Sequence, residues 1–134
     1  MSGALTIGEV GEALIVAQLL SLGFYVCYAH SGGSPWDLIA DWRGKVSRIQ
    51  VKTTTKPIAK GSGIYRVHAT RQHSAHYTQQ VLDYFVFHTP IGNYIIPLDK
   101  VTDDRPRLWL AGTHRSKEKL CKYETFRGNW DLLK

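Results

Sequence analysis

Two strand-like segments joined by Arg43-Gly44 constrain this chain more than any other feature. The first runs Pro35-Trp36-Asp37-Leu38-Ile39-Ala40-Asp41-Trp42 and the second Lys45-Val46-Ser47-Arg48-Ile49-Gln50-Val51-Lys52. Both have strand character, and Arg43-Gly44 suits a two-residue hairpin loop. Such a loop pairs Trp42 with Lys45 and, counting back along both arms, Asp37 with Gln50, with their side chains in reach of each other. Strand alternation puts Lys52 on the face of Gln50, while Leu38, Ala40, Ile49 and Val51 line the other face as core surface. A slip of one residue would separate Asp37 from the other two. The hairpin thus gathers a carboxylate, an amide and an ammonium, a group suited to a hard divalent cation beside a phosphate.

A length of 134 residues predicts one domain, residues 1–134, with a core of its own. With 43% apolar residues and four Trp, the chain is not a disordered one. No apolar run reaches membrane-spanning length, and the N-terminus lacks the basic start and long apolar stretch of a signal peptide. Cys27 and Cys121 form no paired motif and are expected as buried free thiols in a reducing cytoplasm.

Charge is unevenly spread. There are 17 Lys and Arg against 11 Asp and Glu, for a net +6, and Trp42 through Leu82 contains no acidic residue at all. That window holds Arg43, Lys45, Arg48, Lys52, Lys56, Lys60, Arg66 and Arg71, with His68, His73 and His76. Its one-sign character predicts a polyanionic partner, nucleic acid before anionic membrane. Lys45, Lys56, Lys60, Arg66, Arg71 and His73 are the expected phosphate contacts. A solvated basic face with no partner is the plainer alternative, and the placing of Asp37 and Lys52 at the edge of the window argues against it. His73 and His76 have helical metal-ligand spacing but no third ligand in view, so a DNA-facing polar pair is preferred to zinc.

Along the chain, Thr6-Ile7-Gly8-Glu9 predicts a capping box and a helix to about Leu22, stopped by Gly23. Its stretch Ala13 to Leu20 is apolar on most sides and is expected to be largely buried. Further strands are predicted at Phe24–Ala29 and Ile64–Thr70, and a hairpin from Tyr84–His88 to Asn93–Pro97. Thr53 to Ser62 reads as an exposed loop, and His73–Val81 and Ser116–Tyr123 as short helices. Asp41 and Arg48 look like a strand ion pair. Helix, strands, then further helix and strand make an α/β or α+β domain.

These residues together resemble the PD-(D/E)xK nuclease superfamily, nearest the small homing-endonuclease-type branch that carries Gln where most relatives carry Glu. The resemblance rests on Gly11-Glu12 before an apolar helix, Asp37-Leu38-Ile39, Ile49-Gln50-Val51-Lys52-Thr53, Asp83-Tyr84-Phe85, Tyr94-Ile95-Ile96-Pro97 and the closing Asn129-Trp130-Asp131-Leu132-Leu133. It covers most of the chain. It departs from the pattern in two places: Trp36 stands where the name-giving motif has Pro, and Gln50 replaces a carboxylate. The resemblance implies a restriction-endonuclease-like core, a mixed central sheet flanked by helices. It also implies a Mg²⁺-dependent (or Mn²⁺-dependent) DNA endonuclease in which Asp37, Gln50, the Val51 carbonyl and Glu12 hold the cation and Lys52 stabilises charge. A subunit this short spans little duplex, so a homodimer or higher homo-oligomer on double-stranded or branched DNA is expected. The rivals are a Holliday-junction resolvase, a DNA-binding module that has lost cleavage and, more distantly, an RNA-binding protein.

Overall fold

The computed structural model describes residues 6–69, 80–101, 107–110 and 122–134. A capping box opens the single described α-helix, α1 (Ile7–Ser21): the Thr6 hydroxyl accepts the Glu9 N–H at 3.2 Å, and the Glu9 carboxylate accepts the Thr6 N–H at 2.7 Å. At its far end Gly23 takes φ +96°, so that its N–H reaches the Leu20 carbonyl and that of Phe24 the Leu19 carbonyl. This is a Schellman termination, which a side chain at position 23 would strain.

Among the described residues seven strands follow: β1 (Tyr25–Tyr28), β2 (Leu38–Trp42), β3 (Lys45–Thr53), β4 (Tyr65–His68), β5 (Tyr84–Thr89), β6 (Gly92–Pro97) and β7 (Arg107–Leu110). Five form a mixed sheet in the order β1-β2-β3-β5-β6, in which only β3 and β5 run parallel. β4 crosses over between them and pairs with β7 in a separate antiparallel ribbon. The β2–β3 hairpin has the register its loop dictates, from Trp42 opposite Lys45 to Leu38 opposite Ile49. Arg43 at φ +51° and Gly44 at φ +94° supply the two positive angles of a type I′ turn, and the Asp41 carboxylate accepts the Gly44 N–H at 2.8 Å.

The sheet is covered on both faces. On one, Leu38, Ala40, Ile49, Val51, Val86 and Ile95 pack under Ile15 and Leu19 of α1, joined by Trp130 and Leu133 from a closing 3₁₀ turn. On the other, Phe85, Phe87, Tyr94 and Ile96 pack under Tyr65 and Val67 of β4 and Leu110 of β7. β5 and β6 therefore have apolar side chains pointing both ways, which hides the alternation a half-buried strand would show.

Three expectations are corrected here. The helix is not buried on most sides: only Gly11, Ile15 and Leu19 are buried, while Leu14 and Leu20 are 51% and 56% exposed, because the sheet covers a single stripe. Cys27 is exposed, since it lies on edge strand β1; Cys121 lies outside the described residues. Asp41 does not pair with Arg48, because its carboxylate is used in the turn. Arg48 instead clasps Asp83 through Nε to Oδ2 and Nη2 to Oδ1, both 3.0 Å, while its own N–H donates to Oδ2 at 2.8 Å. A two-pronged bond reinforced by a main-chain donor outcompetes a diagonal surface pair. Arg48 Nη1 also donates to the Gln80 carbonyl at 2.6 Å, so this side chain fastens the start of β5 beside β3. The helices expected at His73–Val81 and Ser116–Tyr123 lie largely outside the described residues.

The Arg48 hydrogen bonds hold the Asp83 carboxyl below its ordinary pKa. A depressed acid stabilises the fold above its unfolded pKa, near 4, and loses that contribution as the pH falls through the folded value. Asp83→Asn is expected to lower Tm at pH 7, with the gap to wild type closing as the pH drops below about 4. Thermal melts across a pH series check it, and a gap that stays constant would contradict it.

Candidate active site at the open end of the hairpin

The β2–β3 ladder stops at Leu38 and Ile49. The Asp37 N–H also donates to the Ile49 carbonyl, at 2.8 Å, so Asp37 and Leu38 both face Ile49 in the two-against-one pattern of a β-bulge. Around it, the Asp37 carbonyl accepts from Ala29 N–H at 2.9 Å, and the Ser34 hydroxyl brackets Trp36 by bonding both its N–H and its carbonyl. The bulge turns the Asp37 side chain into the place where the next β2 carbonyl would lie. Its Oδ2 accepts the Val51 N–H at 2.9 Å and the Gln50 amide Nε2–H at 2.8 Å.

The expected trio thus converges, with one difference. Gln50 offers Asp37 its nitrogen, not its oxygen, because a carboxylate is the strongest acceptor near it. The amide must turn over before its oxygen can serve a cation. The Val51 carbonyl points the same way as the Val51 N–H and lies beyond the last rung of the ladder, so β2 does not consume it.

Glu12 comes from the second turn of α1, on the opposite layer from Lys52. Gln50 and Lys52 pair with Phe85 and Phe87 and so project from the face that carries the ribbon. The charges are tightly coupled. Burial, then the charge of Asp37, then that of Glu9 push the Glu12 carboxyl up. Burial also pushes Asp37 up, against the Val51 N–H and the Lys52 charge, which favour the carboxylate. The Lys52 ammonium is pushed down by burial, with Asp37 opposing. Burial is thus the main influence on all three groups, with Asp37 interacting with both Glu12 and Lys52.

A cleft of about 250 Å³ opens beside Lys52 and is lined by Thr53, Thr54, Arg66, Val67 and His68. Arg66 and His68 are the exposed residues of β4, alternating with buried Tyr65 and Val67. His68 was not among the expected contacts, though the spacing of two from Arg66 on a strand puts it on the same face. A larger cleft of about 410 Å³ lies at the other end of β3, between Lys45 and Asp99. Its Asp83 is committed to Arg48 and its Lys45 donates to the Leu132 and Lys134 carbonyls at 3.0 and 3.2 Å, so it lacks the convergent groups of the first.

Of the other expected nucleic-acid contacts, Arg66 lines the site cleft, and Lys56 and Lys60 are exposed on the segment after β3. Lys45 stands apart from them. It starts β3, seven residues from Lys52 and roughly 23 Å away at about 3.3 Å per residue, and holds the closing turn. Arg71 and His73 lie outside the described residues.

Comparison with known proteins bears on the family and the fold. The family described as PD-(D/E)XK endonuclease matches residues 4–127. Among solved structures, a bacterial homing endonuclease, I-Ssp6803I, superposes with a TM-score of 0.79 at 21% identity, covering 99% of this chain and 92% of its own. At that identity the likeness shows a shared fold. No curated protein matches significantly in sequence.

A folded pKa raised above the unfolded one means that ionisation costs stability as the pH rises from the unfolded value through the folded one. Asp37→Asn keeps an oxygen for the Val51 N–H and removes the charge. The metal-free variant is expected to melt above wild type at pH 7, and the difference to vanish in acid, where Asp37 is itself neutral. Calorimetric scans at both pH values check this; a variant less stable than wild type at pH 7 would refute it.

Proposed function

Because the chain belongs to the PD-(D/E)XK endonuclease family, we propose that it is a divalent-metal-dependent DNA endonuclease of the homing type. The observation that carries this reading is the gathering of Asp37, Gln50, the Val51 main chain and Lys52 at one end of the sheet, with the Asp37 and Glu12 carboxyl groups pushed up chiefly by burial and, for Glu12, by the charge of Asp37. A divalent cation would favour both in their charged form. The donors are all oxygens, which suits Mg²⁺, or Mn²⁺ in its place. Among the described residues no three His, Cys, Asp or Glu side chains converge, so the shell would rely on the Gln50 and Val51 oxygens, substrate and water. When bound, the cation supplies Lewis acidity and lowers the pKa of a coordinated water.

The residues of the chain do the rest. Burial pushes the Lys52 ammonium down and Asp37 opposes it; in its charged form Lys52 would stabilise the negative charge that develops on the phosphoryl oxygens. Water oxygen bonds to phosphorus and gives up one proton to solvent, the phosphorus–oxygen bond to the leaving alkoxide breaks, and that alkoxide takes a proton from solvent. The cleft lined by Lys52, Thr54, Arg66 and His68 receives the backbone of the cut strand, and Lys56 and Lys60 extend the positive surface. Two copies of so small a subunit would place one site on each strand of a duplex.

A second reading, a DNA-binding module without cleavage, draws on Gln50: an amide nitrogen donating to Asp37 is also a complete hydrogen bond that needs no cation. Nicking of supercoiled plasmid separates the two. Wild type is expected to nick with Mg²⁺ and not with EDTA, and Asp37→Ala and Lys52→Ala to lose activity by about 10²–10³-fold or more. A wild type that binds DNA and never nicks favours the module. In a salt titration of duplex binding, Arg66→Ala is expected to weaken affinity alike for all sequences and to reduce the salt slope by about one. An unchanged slope would remove Arg66 from the interface.

A further inference from the structure

A glycine in the interior of a helix costs about 1 kcal/mol relative to alanine. Gly11 stands in the second turn of α1 and is buried, so something must require it. A Cβ at this position would fall 2.0 Å from Thr53 Oγ1 and 2.9 Å from both Thr53 Cβ and Cγ2. The obstruction is rigid, because Thr is branched at Cβ and its Cβ is fixed to the backbone of β3. The Thr53 hydroxyl is itself buried and without a hydrogen-bond partner among the described residues, a second cost carried at this contact. The helix and the strand meet here main chain against side chain. This contact adjoins the site on both sides, since Glu12 follows Gly11 and Lys52 precedes Thr53.

We infer that Gly11 is a positioning residue: its missing side chain lets α1 seat directly on Thr53, and this seating sets how far the Glu12 carboxylate stands from Asp37 and Lys52. Any side chain at position 11 forces the helix back by on the order of an ångström to restore ordinary contact, beyond the roughly 0.5 Å to which a working site is held. Ile15 and Leu19, further along the same stripe, fix the rotation of the helix, and Gly11 fixes its height at the end where the acid is carried. The inference rests on the metal-binding role proposed above for Glu12.

The test is Mn²⁺ binding to the metal-free protein by titration calorimetry, with circular dichroism to confirm folding. Gly11→Ala is expected to weaken Mn²⁺ affinity by about 10–100-fold, as loss of a supporting contact to a ligand does. In a Glu12→Gln background the same substitution should cause no further loss, because its effect passes through the Glu12 carboxylate. A defect that merely loosened the protein would add to that of Glu12→Gln. Thr53→Gly removes the obstruction, so Gly11→Ala with Thr53→Gly should recover affinity, and folding too if Gly11→Ala alone fails to fold. Equal affinity in Gly11→Ala and wild type overturns the inference, as does an additive loss beside Glu12→Gln or a double variant that recovers nothing. A wild type that binds no Mn²⁺ overturns the metal reading itself, and this inference with it.

Discussion

The site depends on one hydrogen bond, from the Val51 amide to the Asp37 carboxylate. In a continued ladder that donor would meet a main-chain carbonyl. The bulge at Asp37 puts a side-chain oxygen there, so one carboxylate both ends the pairing of two strands and stands next to Gln50 and Lys52. The residues after the bulge are positioned by the hairpin, whose two-residue turn leaves one register, and the apolar face of Leu38, Ala40, Ile49 and Val51 enforces it. The chemistry-bearing groups are thus held by the same contacts that hold the sheet.

Neighbouring layers supply what the hairpin lacks. α1 brings a second acid from one side of the sheet, and the β4–β7 ribbon brings Arg66 and His68 from the other. The meeting point is costly, since Asp37, Glu12 and Lys52 are all disfavoured in their charged forms by partial burial. The Arg48–Asp83 clasp shows the opposite electrostatics a few residues away: a carboxylate with two guanidinium bonds and a main-chain donor is comfortable when ionised. The two aspartates differ in this: Asp83 is favoured when ionised, while burial disfavours the charge of Asp37, the pattern expected of the functional role proposed for it.

Much of this was legible in the sequence where local chemistry dictates geometry. Arg43-Gly44 fixes the hairpin count, Thr6 with Glu9 and then Gly23 bound the helix, and alternation assigns the faces of β3. What was not legible is set by distance along the chain. The β4–β7 pairing joins Tyr65–His68 to Arg107–Leu110, and nothing local announces it. The burial of α1 depends on which stripe the sheet covers, and its apolar residues run nearly all round. Arg48 chose Asp83 over the nearer Asp41 because a turn had already taken Asp41. The bulge at Asp37 left no mark in residue type, although the pairing it serves was readable.

The two strands of the ribbon pair with each other, and its buried residues Tyr65, Val67 and Leu110 anchor it to the core while Arg66 and His68 face outward. Replacing an outward residue of β4 therefore leaves the strand pair that carries Asp37 mechanically undisturbed. Evolution, or an engineer, can rewrite what such a surface touches without retuning the machinery beside it. On the proposed reading, gripping the strand and cutting it would fall to side chains on two different sheets, so one could change with little effect on the other.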